Sequence, residues 1–213
     1  MAGGVECLVL RHAGSGAPGH LARGLEATGC GVPIVNAGDG RHEHPTQALL
    51  DAYVLEERLC GLEGRLVAIV GDVLRSRVAR SVTHIVTALG GRVHHVGPRA
   101  FVQEGVGAPV FHDPREGTKG ADAVYFLRIQ HERSGTPAYL PASAYRGLYS
   151  NDVEGLIPDD ALVMHPGPVN RGVELDDAIL SDPRCVVLDE VAAGVPIRMA
   201  VLERALVDGW GKA

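Results

Sequence analysis

Five consecutive apolar residues at positions 66–70, Leu-Val-Ala-Ile-Val, constrain the fold of this chain more than any other feature. A strand that is apolar at every position is typical of a parallel sheet with helices on both faces. The next apolar residues share one face of a helix: Val78, Val82, Ile85, Val86 and Leu89. A second strand follows at 92–96, and this strand–helix–strand order predicts an α/β fold with a parallel sheet.

The same pattern continues towards the end of the chain. We expect two more buried strands, at 121–127 and 161–164, and a closing helix over 189–207. Gly61 and Gly64 interrupt the helical pattern that precedes the first buried strand, so a domain boundary is predicted near them. The predicted architecture has two lobes joined at this boundary.

Charge and composition exclude several classes of protein. The 213 residues carry a formal net charge of −6 with a pI near 5.9, which argues against nucleic acid or an anionic membrane as partner. No apolar run is long enough to span a bilayer, and the first residues lack the pattern of a signal peptide. The four cysteines are scattered and indicate free thiols in a reducing compartment. We therefore expect a cytoplasmic protein.

The stretch around His44 carries the first candidate site. Residues 36–40 contain glycines and an Asp and read as a loop, and Pro45 suits the first position of a helix that runs to about Leu59. His44 is then the N-cap, and Gln47 lies one turn further on. A helix N-terminus favours an anion or a polarised carbonyl oxygen. The alternative is that His44 only caps the helix and Gln47 is a surface residue, and the residues alone favour neither.

Arginines occupy three further strand ends. Arg11 follows the apolar strand 5–10, a position where α/β proteins often bind ligands. Arg77 borders the helix after strand 66–70 and could receive a carboxylate bidentately; pairing with a surface acid is the alternative, and the position favours the functional role. Arg128 and Gln130 follow strand 121–127 and share one side of an extended segment. Together these residues predict a cationic pocket for small anions.

A proline-stiffened turn follows the last buried strand. In the sequence His165-Pro166-Gly167-Pro168 the two prolines fix the backbone on either side of Gly167. The carbonyl groups of Gly167 and Pro168 could therefore face the amine of a ligand.

Several kinds of chemistry lack their motifs. The loop after residue 70 has no GxGxxG, which argues against a nucleotide-binding Rossmann domain. We find no Ser-His-Asp pattern, paired carboxylates or metal-binding cluster. The expected chemistry is the polarisation and positioning of bound anions, without metal or other cofactor.

Four segments together resemble the aspartate carbamoyltransferases, in the order that the family has them. They are Asn36-Ala37-Gly38-Asp39-Gly40 with His44-Pro45-Thr46-Gln47, Gly71-Asp72 with Ser76-Arg77, Leu127-Arg128-Ile129-Gln130, and His165-Pro166-Gly167-Pro168. Ornithine relatives share HPxQ but carry a cysteine-containing HCLP in place of the last segment.

The resemblance implies transfer of a carbamoyl group from carbamoyl phosphate to L-aspartate, a step of pyrimidine synthesis. Arg11, His44 and Gln47 would hold carbamoyl phosphate, with Arg11 and His44 as the catalytic pair and the turn Gly167-Pro168 supporting the reacting groups. The aspartate carboxylates would be bound by three residues: Arg77, Arg128 and Gln130. It also implies a carbamoyl-phosphate domain over residues 1–59, an aspartate domain over 60–188 and a C-terminal helix over 189–213 that returns to the first domain. The family assembles as a homotrimer.

The sequence shows no match to the family's front segment, which carries a Ser-x-Arg-Thr-Arg phosphate-binding motif. The first domain is therefore expected to be incomplete, and a partner chain could supply the missing segment. Two hypotheses follow: an aspartate carbamoyltransferase, or a truncated, non-catalytic remnant or partner-binding module of the same fold. The intact aspartate side favours ligand binding, whereas the missing motif argues against independent turnover. Loss of that segment also predicts exposed apolar surface on the first lobe.

Overall fold

The structure is a computed structural model that describes residues 4–105, 107–129, 141–150 and 155–207. Helices and strands alternate along the chain, as the sequence predicts. The strands are β1 (Leu8–His12), β2 (Ile34–Asp39), β3 (Leu66–Val70), β4 (Arg92–Val96), β5 (Val110–Phe111), β6 (Ala123–Phe126) and β7 (Leu162–Met164). The helices are α1 (Ala17–Ala27), α2 (Pro45–Leu59), α3 (Arg77–Ala88), α4 (Pro114–Thr118), α5 (Ala142–Tyr149), α6 (Asp177–Leu180) and α7 (Val187–Val207).

The strands form two parallel sheets. β1 and β2 pair with each other, and the larger sheet has the order β5-β4-β3-β6-β7. β3 lies at its centre, with Val67 opposite Val93 of β4 and Ala123 of β6. The predicted α/β fold with parallel sheets is therefore confirmed.

The larger sheet separates two apolar cores, because successive side chains of β3 point to opposite faces. Val67 and Ile69 pack with residues of α2 and α3 on one face. Leu66, Ala68 and Val70 face the other core, which contains aromatic residues of α5. A strand buried on both faces explains why residues 66–70 are apolar throughout.

Helix α2 connects the smaller sheet to the larger one. It begins at Pro45, directly after the His44 N-cap, and ends at Leu59, as predicted. It packs against β2, α3 and α7. Among the described residues, none of the helices combines the length and apolarity that crossing a bilayer requires. The domain division 1–59, 60–188 and 189–213 stays a prediction.

The segment before α2 differs from the sequence-based expectation. Residues 36–39 are predicted to form a loop, but they belong to β2, and Asp39 pairs with His12 of β1. The Asn36 side chain stabilises this end of the strand, since its amide donates to Asp39 Oδ1 at 2.8 Å and its oxygen accepts the Gly38 N–H at 2.8 Å. Asn36 is a residue type that usually favours a turn, but here its side chain forms hydrogen bonds with other residues of the same strand.

Candidate active site

The His44 ring lies at the start of α2 with one nitrogen still available. Its backbone N–H donates to Ser81 Oγ at 2.9 Å, and its side chain makes no capping hydrogen bond. Its Nδ1 atom is buried and has no hydrogen-bond partner among the described residues. The interpretation of His44 as merely a helix cap therefore does not account for its side chain. Because buried polar atoms are normally hydrogen-bonded, this ring is a good candidate for a ligand contact.

Three guanidinium groups surround His44. Burial, together with the charges of Arg77, Arg11 and Arg198, lowers the pKa of His44 from 6.5 to about 4. The imidazole is therefore neutral near pH 7 and can act as a hydrogen-bond donor or acceptor rather than as a cation. Arg11 and Arg77 were both predicted to belong to one cationic pocket, and the structure places both near His44.

A cavity of about 600 Å³ opens beside two of these arginines, Arg11 and Arg77. Its lining residues are Arg11, His12, Ala13, Ser15, Gly40, Arg41 and Arg77. Arg11 projects from β1, where one guanidinium nitrogen donates to the carbonyl of Ala37 at 3.4 Å. The concentration of positive charge in an otherwise acidic chain suits a phosphate or carboxylate.

Asp39 anchors the loops that border this cavity. It is fully buried and accepts hydrogen bonds from the Gly16 N–H at 2.5 Å and the Glu43 N–H at 3.1 Å. Burial alone raises the pKa of Asp39, but its hydrogen bonds from Asn36, Gly16 and Glu43 lower the pKa overall. The carboxylate therefore stays ionised and ties the loop after β1 to the approach to α2.

Arg75 and Arg77, two residues apart, have different surroundings. Arg75 donates to Asp72 Oδ1 at 3.0 Å and to the carbonyl of Ala100 at 3.2 Å, so it stabilises its own loop. Arg77 instead lies against Gly38 of β2, on the side of His44. This difference favours Arg77 as the ligand-binding residue of the pair.

Gln47 is a buried residue of α2, at 9% exposure, and not a surface residue. Its Nε2 donates to Asp51 Oδ1 at 3.0 Å, which leaves the Oε1 acceptor for a ligand N–H. With Gly167, His165 and Arg198 it lines a second cavity, of about 230 Å³. The structure thus brings Gln47 and the turn at Gly167 to one cavity, and Pro168 follows directly in the chain.

Internal hydrogen bonds hold the turn after β7. His165 Nδ1 accepts the Gly167 N–H at 2.9 Å, so the ring proton is on Nε2. Glu174, fully buried, accepts the N–H groups of Ile129 at 2.7 Å and Asn170 at 2.9 Å. Glu174 therefore joins this turn to the segment that carries Arg128.

Arg128 lies near the same turn. Burial lowers the pKa of His165 to about 3, and the charge of Arg128 contributes to that shift. Gln130, the predicted partner of Arg128, lies outside the described residues. The roles of Arg128 and Gln130 in holding a carboxylate stay predictions.

Four residues of this region were missed by sequence reasoning: Asp51, Glu174, Glu190 and Arg198. Asp51 and Glu190 stand in mainly apolar segments, where the charge itself was the available signal; the residues around Glu174 gave no such signal. Arg198 lies on α7, whose apolar pattern suggested only core packing, yet it lines the cavity beside Gln47.

Two family models match the chain. Residues 63–205 match the aspartate/ornithine carbamoyltransferase, Asp/Orn binding domain, and residues 1–57 match the carbamoyl-P binding domain of the same group. The aspartate carbamoyltransferase catalytic subunit of Anaeromyxobacter sp. (strain K) is 48% identical over 203 residues, which are 92% of this chain and 63% of that relative. The chain thus spans less than two thirds of the relative's length.

Solved structures share the fold. Ornithine carbamoyltransferase from Pyrococcus furiosus has a TM-score of 0.79 at 26% identity, over 99% of this chain and 69% of that chain. Aspartate transcarbamoylase from Trypanosoma cruzi, in complex with carbamoyl aspartate and phosphate, has a TM-score of 0.75 at 28% identity, over 92% of this chain and 65% of that chain. Because the coverage of this chain is nearly complete, the likeness includes both sheets.

Proposed function

This chain belongs to the aspartate/ornithine carbamoyltransferase family, and on that premise we propose that it transfers the carbamoyl group of carbamoyl phosphate to L-aspartate. The products would be N-carbamoyl-L-aspartate and phosphate. The observation that carries the proposal is the neutral His44 ring at the start of α2, with Arg11 and Arg77 beside it. The names of the 48% identical relatives support aspartate rather than ornithine as the acceptor.

The reaction needs a polarised carbonyl group and a stabilised leaving group. In the proposed step the α-amino nitrogen of aspartate attacks the carbamoyl carbon, and the carbonyl oxygen becomes an oxyanion. The bond from that carbon to the phosphate oxygen then breaks, and the amine proton leaves with the phosphate. His44 would donate a hydrogen bond to the oxyanion, assisted by the positive end of α2.

The remaining roles follow from charge and hydrogen-bonding capacity. Arg11 would bind the phosphate in the arginine-lined cavity, and Gln47 Oε1 would accept an N–H of the carbamoyl group. Arg77, Arg128 and Gln130 would bind the aspartate carboxylates, and the Gly167-Pro168 turn would face the reacting amine. Because Arg11 is exposed, we expect weak phosphate binding, with a KM for carbamoyl phosphate at or above about 1 mM.

We also propose that the chain acts in the cytoplasm and in association with other polypeptides, either as a homotrimer or with a chain that supplies further phosphate ligands. Apolar side chains on α7 support association, since Val191, Val195 and Met199 are each more than 60% exposed.

The test is formation of carbamoyl aspartate from carbamoyl phosphate and aspartate by the purified chain. We expect turnover in the wild type and a loss of kcat of about 100- to 1000-fold in His44→Ala, the usual effect of removing an oxyanion donor. His84→Ala is the control, because His84 is an exposed residue of the neighbouring helix α3. Equal turnover in His44→Ala would contradict the proposal, and absence of product from a folded wild-type chain would rule out turnover without a chain that supplies further phosphate ligands.

A further inference from the structure

Two carboxyl groups from different helices meet in the interior behind the candidate site. Asp51 of α2 is fully buried, and Glu190 of α7 is 4% exposed. The two side chains are within hydrogen-bond contact of each other. Two ionised carboxylates repel each other at such a distance, and neither has a proton to donate.

The hydrogen bonds around the pair are unequal. Asp51 accepts from Gln47 Nε2 at 3.0 Å and from the Tyr125 hydroxyl at 2.7 Å, one donor on each oxygen. Glu190 Oε2 accepts the His165 N–H at 3.1 Å, but Glu190 Oε1 is buried with no hydrogen-bond partner among the described residues. A proton on Glu190 Oε1 that is donated to Asp51 would satisfy that atom and remove the repulsion.

We propose that Asp51 and Glu190 hold one proton between them, carried by Glu190 and donated to Asp51, and that this pair positions Gln47 and the His165–Gly167 turn. Asp51 is then the ionised partner that orients the Gln47 amide. Glu190 fixes the backbone at His165, whose ring in turn accepts the Gly167 N–H. The positioning role rests on the proposed carbamoyl transfer, since those two elements would contact the carbamoyl group and the amine.

The pKa directions agree with this geometry. Burial raises the pKa of Asp51 to about 6, and burial together with the Asp51 charge raises the pKa of Glu190. The charged and titratable groups that face the pair come from every neighbouring element: Tyr125 on β6, His165 after β7, Cys185 before α7 and Arg198 on α7. Two carboxyl groups that share one proton carry a single negative charge. The positive charge of Arg198 stabilises that charge.

Glu190→Gln is the variant that separates a shared proton from a merely buried acid. The Gln amide can donate to Asp51 permanently while its oxygen still accepts the His165 N–H, so every hydrogen bond survives. Because the native pair binds its proton more tightly than the unfolded chain does, wild-type stability declines as the pH rises above the ordinary carboxyl pKa. Relative to Glu190→Gln, the wild-type unfolding constant should therefore rise about tenfold per pH unit above a pH of about 4.3.

Infrared difference spectroscopy detects the proton directly. We expect a protonated-carboxyl C=O band at neutral pH in the wild type that is missing from Glu190→Gln. If the stabilities of the wild type and Glu190→Gln change with pH in parallel, and the wild type shows no protonated-carboxyl band, the proposal of a shared proton is overturned. Neither measurement needs turnover, so the outcome is independent of whether the proposed function holds.

The positioning role is tested by the NMR chemical shift of the Gln47 side-chain amide. This resonance is assigned by its disappearance in Gln47→Leu. It should move with pH in the wild type and stay fixed in Glu190→Gln. In Glu190→Met, which removes the hydrogen bonds but keeps an apolar volume, it should shift at every pH. A Gln47 resonance that is identical in the wild type and Glu190→Met would overturn the positioning role. For turnover, Glu190→Gln should keep kcat within about twofold while Glu190→Met loses about tenfold or more, as expected for a displaced positioning group.

Discussion

The guanidinium group of Arg77 lies directly against the α-carbon of Gly38, so that a β-carbon at Gly38 would be 2.9 Å from Arg77 Cζ. Gly38 is the penultimate residue of β2 in the smaller sheet, whereas Arg77 begins the helix after the central strand of the larger one. The close contact depends on the missing side chain of glycine. It places the Arg77 guanidinium beside the candidate phosphate cavity, which Arg77 lines together with Arg11.

Gly38→Ala should displace Arg77 and weaken ligand binding about tenfold, because the guanidinium cannot keep its position beside a methyl group. The substitution also strains the backbone, since Gly38 has a φ of 113°, at a cost of about 1–3 kcal/mol. Gly64→Ala is the matched control, with a φ of 71° and no atom within 4 Å of the added carbon. Calorimetric titration with L-aspartate compares the two variants, and equal affinities would show that Arg77 does not bind the aspartate carboxylates.

The pH dependence of turnover should show no ionisation of His44 near its ordinary pKa. Burial and the neighbouring arginines lower the pKa of His44 from 6.5 to about 4, so the ring is neutral throughout the physiological range. We expect the acid limb of kcat/KM that depends on His44 to lie near this lower value. An acid limb near pH 6.5 that is lost in His44→Gln would contradict the lowered pKa, and a decline above pH 6.5 that is lost in the same variant would show that the ring acts as a cation.

Acid should destabilise the protein through its buried histidines. His95 is 1% exposed, and burial lowers its pKa to about 4 from 6.5. The unfolded chain therefore binds this proton more readily, and His95 loses its contribution to stability as the pH falls between these values. His95→Gln should flatten the decline in unfolding free energy by about 1.4 kcal/mol per pH unit in that window. The exposed His20→Gln is the control, and chemical denaturation at a series of pH values measures both.

The apolar face of α7 should make the isolated chain associate. Its exposed members are Leu188, Val191, Val195, Met199 and Leu206, spaced so that they share one side of the helix. The double variant Val195→Lys with Met199→Lys should shift the chain towards a monomer in sedimentation velocity. Glu203→Lys adds the same two units of charge on α7 without removing apolar surface, so it should leave association unchanged. A wild-type chain that is a monodisperse monomer at all concentrations would contradict this prediction.

Local signals predicted the central features of the fold well. The extent of α2 and the His44 N-cap follow from Pro45 and a helical apolar face, and β3 follows from its continuous apolar run. These features depend on residues that are neighbours in sequence. The prediction of a loop at residues 36–39 was wrong. Asn36 and Gly38 are typical of a turn, and only the pairing of β2 with β1 shows that they belong to a strand.

The buried carboxylates could not be predicted in the same way. Asp51 accepts a hydrogen bond from the Tyr125 hydroxyl, 74 residues away in the sequence. Glu190 accepts one from the His165 N–H, 25 residues away. Such partners are set by how helices pack on the sheet, and no local spacing encodes them. Arg11, His44 and Arg77 were identifiable because strand ends and helix starts have a known place in parallel sheets.

The central claim is that one site binds both the phosphate of one substrate and the carboxylates of the other. A bisubstrate analogue that joins a phosphonoacetyl group to aspartate tests this most directly, by calorimetric titration of the purified chain. The account predicts one analogue per chain and a loss of affinity of about tenfold or more in both Arg11→Ala and Arg77→Ala, the usual cost of removing a charged partner. A folded wild-type chain that gives no binding heat at any concentration, or variants that bind the analogue as the wild type does, would contradict it.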